Sequence, residues 1–539
     1  MSMLSFVACS QKQRIDLIVA NGTIYTVNEN FRVAEAMAVH DGTIVDIGST
    51  ADILGKFTAD RFVDLENKTV YPGFIDAHCH FYGYGLGLLK RADLTGTQSF
   101  DEILQIMLAH HEKFPSAYWI EGRGWDQNNW PEKSFPLNDK LNELFPDNPV
   151  ILTRVDGHAA VVNQKALELA GIGGKTNVEG GDVILLNGKP TGVLIDNAIE
   201  LVTRVIPPPD QVQMAEALMA AQENCFAVGL TGVHDMGLNK REIEVIDSMQ
   251  QSNKLKMRMY VLLTPEEETL EAFFAKGKTK NKTLNIRAIK LYADGALGSR
   301  GAKLMKDYSD DPGNPGLLLR SPESLMEFCN KAYDNGFQVC THAIGDSANR
   351  LMLQVYSEIL KEKNDLRWRI EHSQIVAPED FELFGKFSII PSVQPTHATS
   401  DMYWAVDRVG AERIKGAYAY NDLLQQNGWL PLGTDFPIEG INPVHTFYAA
   451  VVRKDLKGWP ENGFQTENAL SRQDALKGMT IWAAMSAFEE NEKGSLEPGK
   501  LADFVVLDKD IMQIQSDQIL SAKVLKTFVG GEEVFSVPD

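Results

Sequence analysis

The chain has 539 residues, 44% of them apolar and 23% charged, with a formal net charge of -21. That length exceeds one ordinary domain, and so acidic a balance argues against nucleic acid or an anionic membrane as a partner. No run approaches the ~20 apolar residues of a membrane span, and five scattered cysteines without a Cys-x-x-Cys pair exclude a disulfide framework or a cysteine zinc knot.

Residues 1–15 stand apart. Met3-Leu4-Ser5-Phe6-Val7-Ala8-Cys9-Ser10 resembles the tail of a bacterial lipoprotein signal, where small residues precede a lipidated cysteine. Two locations follow: a trimmed envelope lipoprotein anchored through Cys9, or a cytoplasmic protein with a short irregular start. Next, Asp16–Ala20 and Gly22–Val27 read as strands around an Asn21-Gly22 turn. Ala36–His40 and Thr43–Gly48 form a hairpin through Asp41-Gly42, and Thr69-Val70-Tyr71 leads out of this β unit. The C-terminus returns to the same style, with a strand at Ala502–Asp508 and a closing hairpin through Gly530-Gly531. Residues 16–70 plus 494–539 are therefore expected to build one small β-sandwich.

Residues 71–493 alternate apolar strands with helical stretches, the pattern of a parallel α/β fold. The first strand carries His78 and His80. The next seven are Gly229–Asp235, Met257–Leu263, Ile286–Tyr292, Phe337–Thr341, Arg367–Ile370, Ser388–Val393 and Trp429–Gly433. Eight such strands predict a (β/α)8 TIM barrel, with the active site at the strand C-terminal ends. The interval between strands one and two far exceeds the roughly 30–40 residues of a βα unit. Its surplus, about 98–206, is expected to be an inserted subdomain over the barrel mouth, left through Pro207-Pro208-Pro209 into a helix at 211–228.

Metal-binding side chains recur at these strand ends. Pro72-Gly73-Phe74-Ile75-Asp76-Ala77-His78-Cys79-His80 places two imidazoles two residues apart, on one face of a strand, with Cys79 turned away. Cys340-Thr341-His342-Ala343, Arg369-Ile370-Glu371-His372-Ser373 and Leu432-Gly433-Thr434-Asp435-Phe436 add His342, His372 and Asp435. Such a rim describes a metal-dependent hydrolase. Taken singly, His342 and His372 also suit a packed core, and Asp435 a helix N-cap.

Together these stretches resemble the amidohydrolase superfamily, family 3, in the branch that includes N-substituted formamide deformylase. The likeness runs from about Asp16 to Phe535. It includes Gly122-Arg123-Gly124-Trp125-Asp126, Asp156-Gly157-His158-Ala159, Lys290-Leu291-Tyr292-Ala293-Asp294-Gly295, His342-Ala343-Ile344-Gly345-Asp346 and the closing run Gly494–Asp503. The resemblance implies two divalent ions, zinc by preference. His78 and His80 would bind the more buried one, and His342 and His372 the second. Lys290, carboxylated by CO2, would bridge them as a carbamate, where an unmodified ammonium would repel both; a rim ion pair with Asp294 is its plainer role. Asp435 would ligate a metal, take a proton from activated water and pass it to the leaving nitrogen.

The implied reaction is hydrolysis of a non-peptide C–N bond, an amide, N-acyl or N-formyl group, in a small-molecule substrate. A cyclic-amide hydrolase, a mononuclear deaminase and a non-catalytic binding protein are the alternatives, and self-association into a homodimer is left open. His158, His397 and Trp125 are the candidate substrate contacts, with Trp130, Phe81 and Tyr82 as further apolar wall. His234 is read as structural.

Overall fold

The computed structural model describes residues 12–115 and 117–538. Cys9 and the lipoprotein-like segment lie outside them. Seven parallel strands form the central sheet in chain order: Phe74–Cys79, Leu230–Leu238, Arg258–Leu263, Leu284–Tyr292, Gln338–Ala343, Arg369–His372 and Ile390–Ser392. The eighth expected strand is reduced to a parallel bridge between Val393 and Leu432. It nevertheless closes the ring. Gly433 N donates to Val393 O at 3.0 Å on one side, and Ala77 N donates to Leu432 O at 3.1 Å on the other. Asp435 N then reaches His78 O at 2.7 Å, which carries the join to the strand end.

Closure is tight because of what stands at residue 433. A Cβ on Gly433 would lie 2.5 Å from the backbone nitrogen of His78 and 2.8 Å from its Cβ, so the two segments approach as only glycine permits. Asp76 fastens the same seam. Its carboxylate accepts from Thr434 Oγ1 at 2.6 Å, from Thr434 N at 3.0 Å and from His78 N at 3.1 Å.

Helices cover the barrel. Gln211–Ala227 starts, as the proline run suggests, with a capping box between Asp210 and Gln213, and Lys240–Gln251 uses the same device with Asn239 and Glu242. Their apolar faces join the large core around the barrel, which also takes up Phe81, Tyr82 and Cys79.

Strands from both ends of the chain share one six-stranded sheet, where Phe504–Leu507 pairs with Thr69–Pro72. A four-stranded sheet, including Gln13–Ala20 and the Asp41-Gly42 hairpin, packs with it around Leu17, Val70, Phe504 and Phe528. The Asn21-Gly22 turn corrects the hairpin expected there. Gln13–Ala20 and Thr23–Tyr25 do not pair with each other; the turn carries the chain from one sheet to the other. Two short turn residues give no sign of which strand the next segment will meet.

Between the first two barrel strands runs a second six-stranded sheet, from Arg91–Asp93 through Ile120–Trp125 and Val150–Arg154 to the Asn187-Gly188 hairpin. It begins before the expected boundary near 98. Alternate residues separate cleanly: Val150, Leu152, Ala159 and Val161 enter one core, and Ile151, Ala160 and Val162 another. Among the described residues no helix is long and apolar enough to cross a membrane.

Gly433→Ala should strain the closure, with a loss of about 1–3 kcal/mol of stability as expected for overpacking. Thermal unfolding followed by circular dichroism checks this; an unchanged transition would mean that the seam can relax.

Candidate active site

His78, His80, Lys290, His342, His372 and Asp435 all line one cavity of about 230 Å³ at the C-terminal ends of the barrel strands. The floor is set by His78, which is fully buried. Its Nδ1 lies 2.6 Å from Glu371 Oε2, which reserves that nitrogen and leaves Nε2 facing the cavity. Glu371 is held in turn by Arg369, whose Nη2 donates to it at 2.9 Å and to Ser392 Oγ at 2.9 Å. Burial pushes the Glu371 carboxyl upward, but Arg369 and His78 outweigh it and hold the group ionised. His234 completes the underside with Nδ1 3.1 Å from Arg369 Nη1, a structural position.

Asp435 stands at the centre. His80 Nε2 is 3.3 Å and His78 Nε2 3.5 Å from its Oδ1, and His397 Nε2 is 3.4 Å from its Oδ2. Its backbone is left-handed, with φ +63°, as is that of His372, with φ +72°. Both side chains are thereby turned out of regular strand geometry, a strained arrangement of the kind that clusters at active sites. Asp435 does not cap a helix: Thr434 Oγ1 receives the amide of Phe436 at 3.0 Å.

Two triads of ligand atoms lie within 4.8 Å of one another, His78 with His80 and Asp435, and His372 with His397 and Asp435. His342 meets this group edge-on, its ring centroid 4.5 Å from that of His372. Lys290 Nζ sits 3.4 Å from His78 Nε2. The rim ion pair with Asp294 is replaced: Asp294 accepts from the amides of Ile344, Gly345 and Lys303 at 2.8–3.0 Å.

Desolvation decides the charge states. Burial lowers His78 to about 4, lowers His80, and takes His342 and His372 well below the ordinary histidine value. These imidazoles are neutral at pH 7, the form that ligates metals. Burial also lowers Lys290 to about 8, so part of it is free amine near neutrality. Burial would raise Asp435, but His78 and the contacts from His397 and His80 outweigh it and keep it a carboxylate. Burial would likewise lower His397, yet Asp435 and Glu439 reverse this and raise it to about 10. Held at Nε2 by Asp435 and 3.2 Å at Nδ1 from Glu439, His397 is an imidazolium that braces Asp435.

The inserted sheet supplies the opposite wall through Asp126, Arg154, Asp156 and His158. His158 Nδ1 lies 2.6 Å from Asp196 Oδ1, and its ring is 5.1 Å from that of His342. Trp125 is a correction. It does not face the cavity but packs in the insertion's own core against Trp130 and Phe135, with Nε1 donating to Leu152 O at 2.8 Å. Trp130 shares that core, and Phe81 and Tyr82 lie in the barrel's outer core. An aromatic residue near a barrel mouth in sequence carries no sign of which face of its strand it will take.

Glu371, Arg369, Asp76 and Glu439 escaped the sequence reading. A signal existed for the first two, because Arg369 and Glu371 are charges two apart, on one face of a strand, and would both need partners inside the barrel.

The model of the amidohydrolase family, family 3, matches residues 61–535. The protein LONG AFTER FAR-RED 3 of Arabidopsis thaliana is 36% identical, over 96% of this chain and 91% of its own length. N-substituted formamide deformylase of Arthrobacter pascens is 26% identical, over 96% and 98%. Among solved structures, an uncharacterized metal-dependent hydrolase from Pyrococcus horikoshii superposes with a TM-score of 0.76 at 30% identity, covering 93% of this chain and 99% of that one. A barrel with imidazoles, a lysine and an aspartate at its strand ends is accompanied by a family match over nearly its whole length, and the chain belongs to the amidohydrolase family, as a metal-dependent hydrolase acting on carbon–nitrogen bonds.

Proposed function

We propose that the protein hydrolyses an amide, N-acyl or N-formyl C–N bond of a small molecule, using two divalent ions, zinc by preference. The observation that carries this reading is a set of buried potential ligand atoms without a hydrogen-bond partner inside the protein. Asp435 Oδ1 and His372 Nδ1 make no hydrogen bond, while four neutral imidazoles and a lysine of depressed pKa share one cavity. Such a group is costly to bury unless something binds it. His78, His80 and Asp435 would hold one ion; His342 and His372 would hold the second, with Lys290 as a carbamate between them. A nitrogen-rich set of this kind suits zinc.

When bound, the ions would supply Lewis acidity, polarising a carbonyl and acidifying water. The chain does the rest. Asp435, braced by His397, receives the proton of the attacking water and returns it to the leaving nitrogen. His158 is raised in pKa because Asp196 outweighs the effect of burial, and its ring, held at Nδ1 by Asp196, would orient the substrate carbonyl. Its wall belongs to the insertion, which on this reading sets substrate choice while the barrel supplies the chemistry. The resemblance to N-substituted formamide deformylase supports small N-acyl and N-formyl compounds as the first panel to test.

Elemental analysis of protein prepared without chelator, with zinc and bicarbonate supplied, should give about two metals per chain. A reproducible value of one would remove Lys290 as a bridge and favour the mononuclear alternative. Stripping the metal should abolish turnover, and zinc should restore it.

Lys290→Ala is expected to lose activity and much of its metal, with partial rescue by a short carboxylic acid. Lys290→Arg should resist rescue, because a fixed cation then occupies the bridge position. Full activity in either variant would sink the carbamate.

His158→Ala should keep its metal but lower kcat/KM by roughly 5- to 150-fold, the equivalent of about 1–3 kcal/mol for one buried hydrogen bond. The factor should differ between acyl groups. Equal losses across the panel would place His158 on the shared reacting centre instead.

A further inference from the structure

A second cavity of about 560 Å³ opens beside the metal-type site and shares His80, His158, Asp156 and Tyr292 with it. Its wall contains three guanidinium groups, and they are not equivalent. Arg91 is paired, its Nε 3.2 Å from Glu121 Oε2. Arg123 and Arg320 make no ion pair among the described residues. Arg123 Nη2 donates to the carbonyl of Val155 at 3.0 Å, while its buried Nε has no partner at all. Arg320 rests on the ring of Phe328, 5.0 Å from its centroid.

Two acidic groups of the same wall have partners, although Asp196 Oδ2 is buried without one. Asp156 pairs with Arg154 and accepts the amide of His158 at 3.0 Å, and Asp196 Oδ1 is held by His158. Glu200, the remaining carboxylate of the wall, is exposed to solvent. Desolvation, with Arg91 nearby, lowers Arg123 to about 10 although Asp156 and Asp435 oppose it, and desolvation lowers Arg320 although Glu200 opposes it. Both guanidiniums are half-buried with no ion-pair partner among the described residues, and a guanidinium matches the planar fork of a carboxylate better than any other side chain does. Arg123 also stands on the insertion strand Ile120–Trp125 and lines the cavity that shares His80 with the metal-type site.

We infer that the substrate is an amide bearing a carboxylate, that Arg123 anchors this carboxylate in the second cavity, and that Arg320 supplies further positive charge on the same wall. This inference rests on the amide-hydrolase reading for the reaction but makes its own claim about binding. It also runs against the charge of the protein as a whole, since a net charge of -21 by itself disfavours anionic ligands. The two arginines act locally, at the wall of one cavity.

The test measures binding without turnover. In 4-oxoalkanoates of five to nine carbons a methylene replaces the amide nitrogen, and the carboxylate lies two carbons from the ketone on whichever half of the amide it would occur. The zinc- and bicarbonate-supplemented protein is titrated calorimetrically with these acids and with their carboxamides. The acids should bind at least 10-fold tighter than the carboxamides. Arg123→Met should weaken acid binding roughly 10- to 100-fold, the loss expected for a charge-assisted pair, while leaving carboxamide binding and metal content unchanged. Arg320→Met should weaken the acids by a smaller factor and serves as the second variant should Arg123→Met fold poorly. Equal affinity for acid and carboxamide, no binding of the acids, or acid binding unaffected by both substitutions would overturn the proposal. A carboxylate that merely ligates the metals gives the last of these results. Absence of amide turnover with an intact arginine-dependent preference would refute the hydrolytic reading instead.

Discussion

The site depends on a buried ion pair beneath it. Arg369 and Glu371 are both fully buried on the sixth barrel strand, and Glu371 takes Nδ1 of His78 at 2.6 Å. Leaving one charge of such a pair unmatched typically costs about 3–5 kcal/mol, so the three groups stand or fall together. The pairing settles the tautomer of His78 and aims its Nε2 at the cavity, and Arg369 extends the restraint to Ala77 O and Ser392. Histidine orientation at a strand end is thus decided inside the barrel rather than at its rim.

A second restraint comes from the seam. Asp76 precedes His78 by two residues and also grips Thr434, which precedes Asp435 by one. One carboxylate therefore ties together the strand bearing two imidazoles and the loop bearing the central aspartate, although the two are far apart in the chain. Burial raises Asp76 to about 7, and the hydrogen bonds from Thr434 and His78 are what keep its charge tolerable there. The eighth strand can be almost absent because this local bonding, rather than a long ladder, completes the ring.

The insertion differs in kind from the barrel. It has its own cores on both faces of its sheet and turns charged residues toward the cavity, while its tryptophans remain inside. The division is physical: parallel barrel strands can present their ends to only one rim, so variation in the opposite wall must come from a separate element. His158 and Asp196 sit at that boundary, where the inserted sheet meets His342.

Much was legible from sequence because it depended on local pattern. Strand periodicity located seven of the eight barrel strands to within a few residues, and the Asp41-Gly42 and Gly530-Gly531 turns joined the strands expected of them. The spacing of His78 and His80, with lone histidines and an aspartate at later strand ends, was enough to assemble the cavity rim, since every such residue inherits its place from the strand before it. Three things were decided only in three dimensions. Which sheet Thr23–Tyr25 would join depended on a long-range pairing with Thr69–Pro72, closed from beyond by Phe504–Leu507. Which way Trp125 faced depended on the core beneath its own sheet. The charge carried by Lys290, His397 and Glu371 depended on desolvation and on partners from other strands, quantities that no residue possesses until the chain has folded around it.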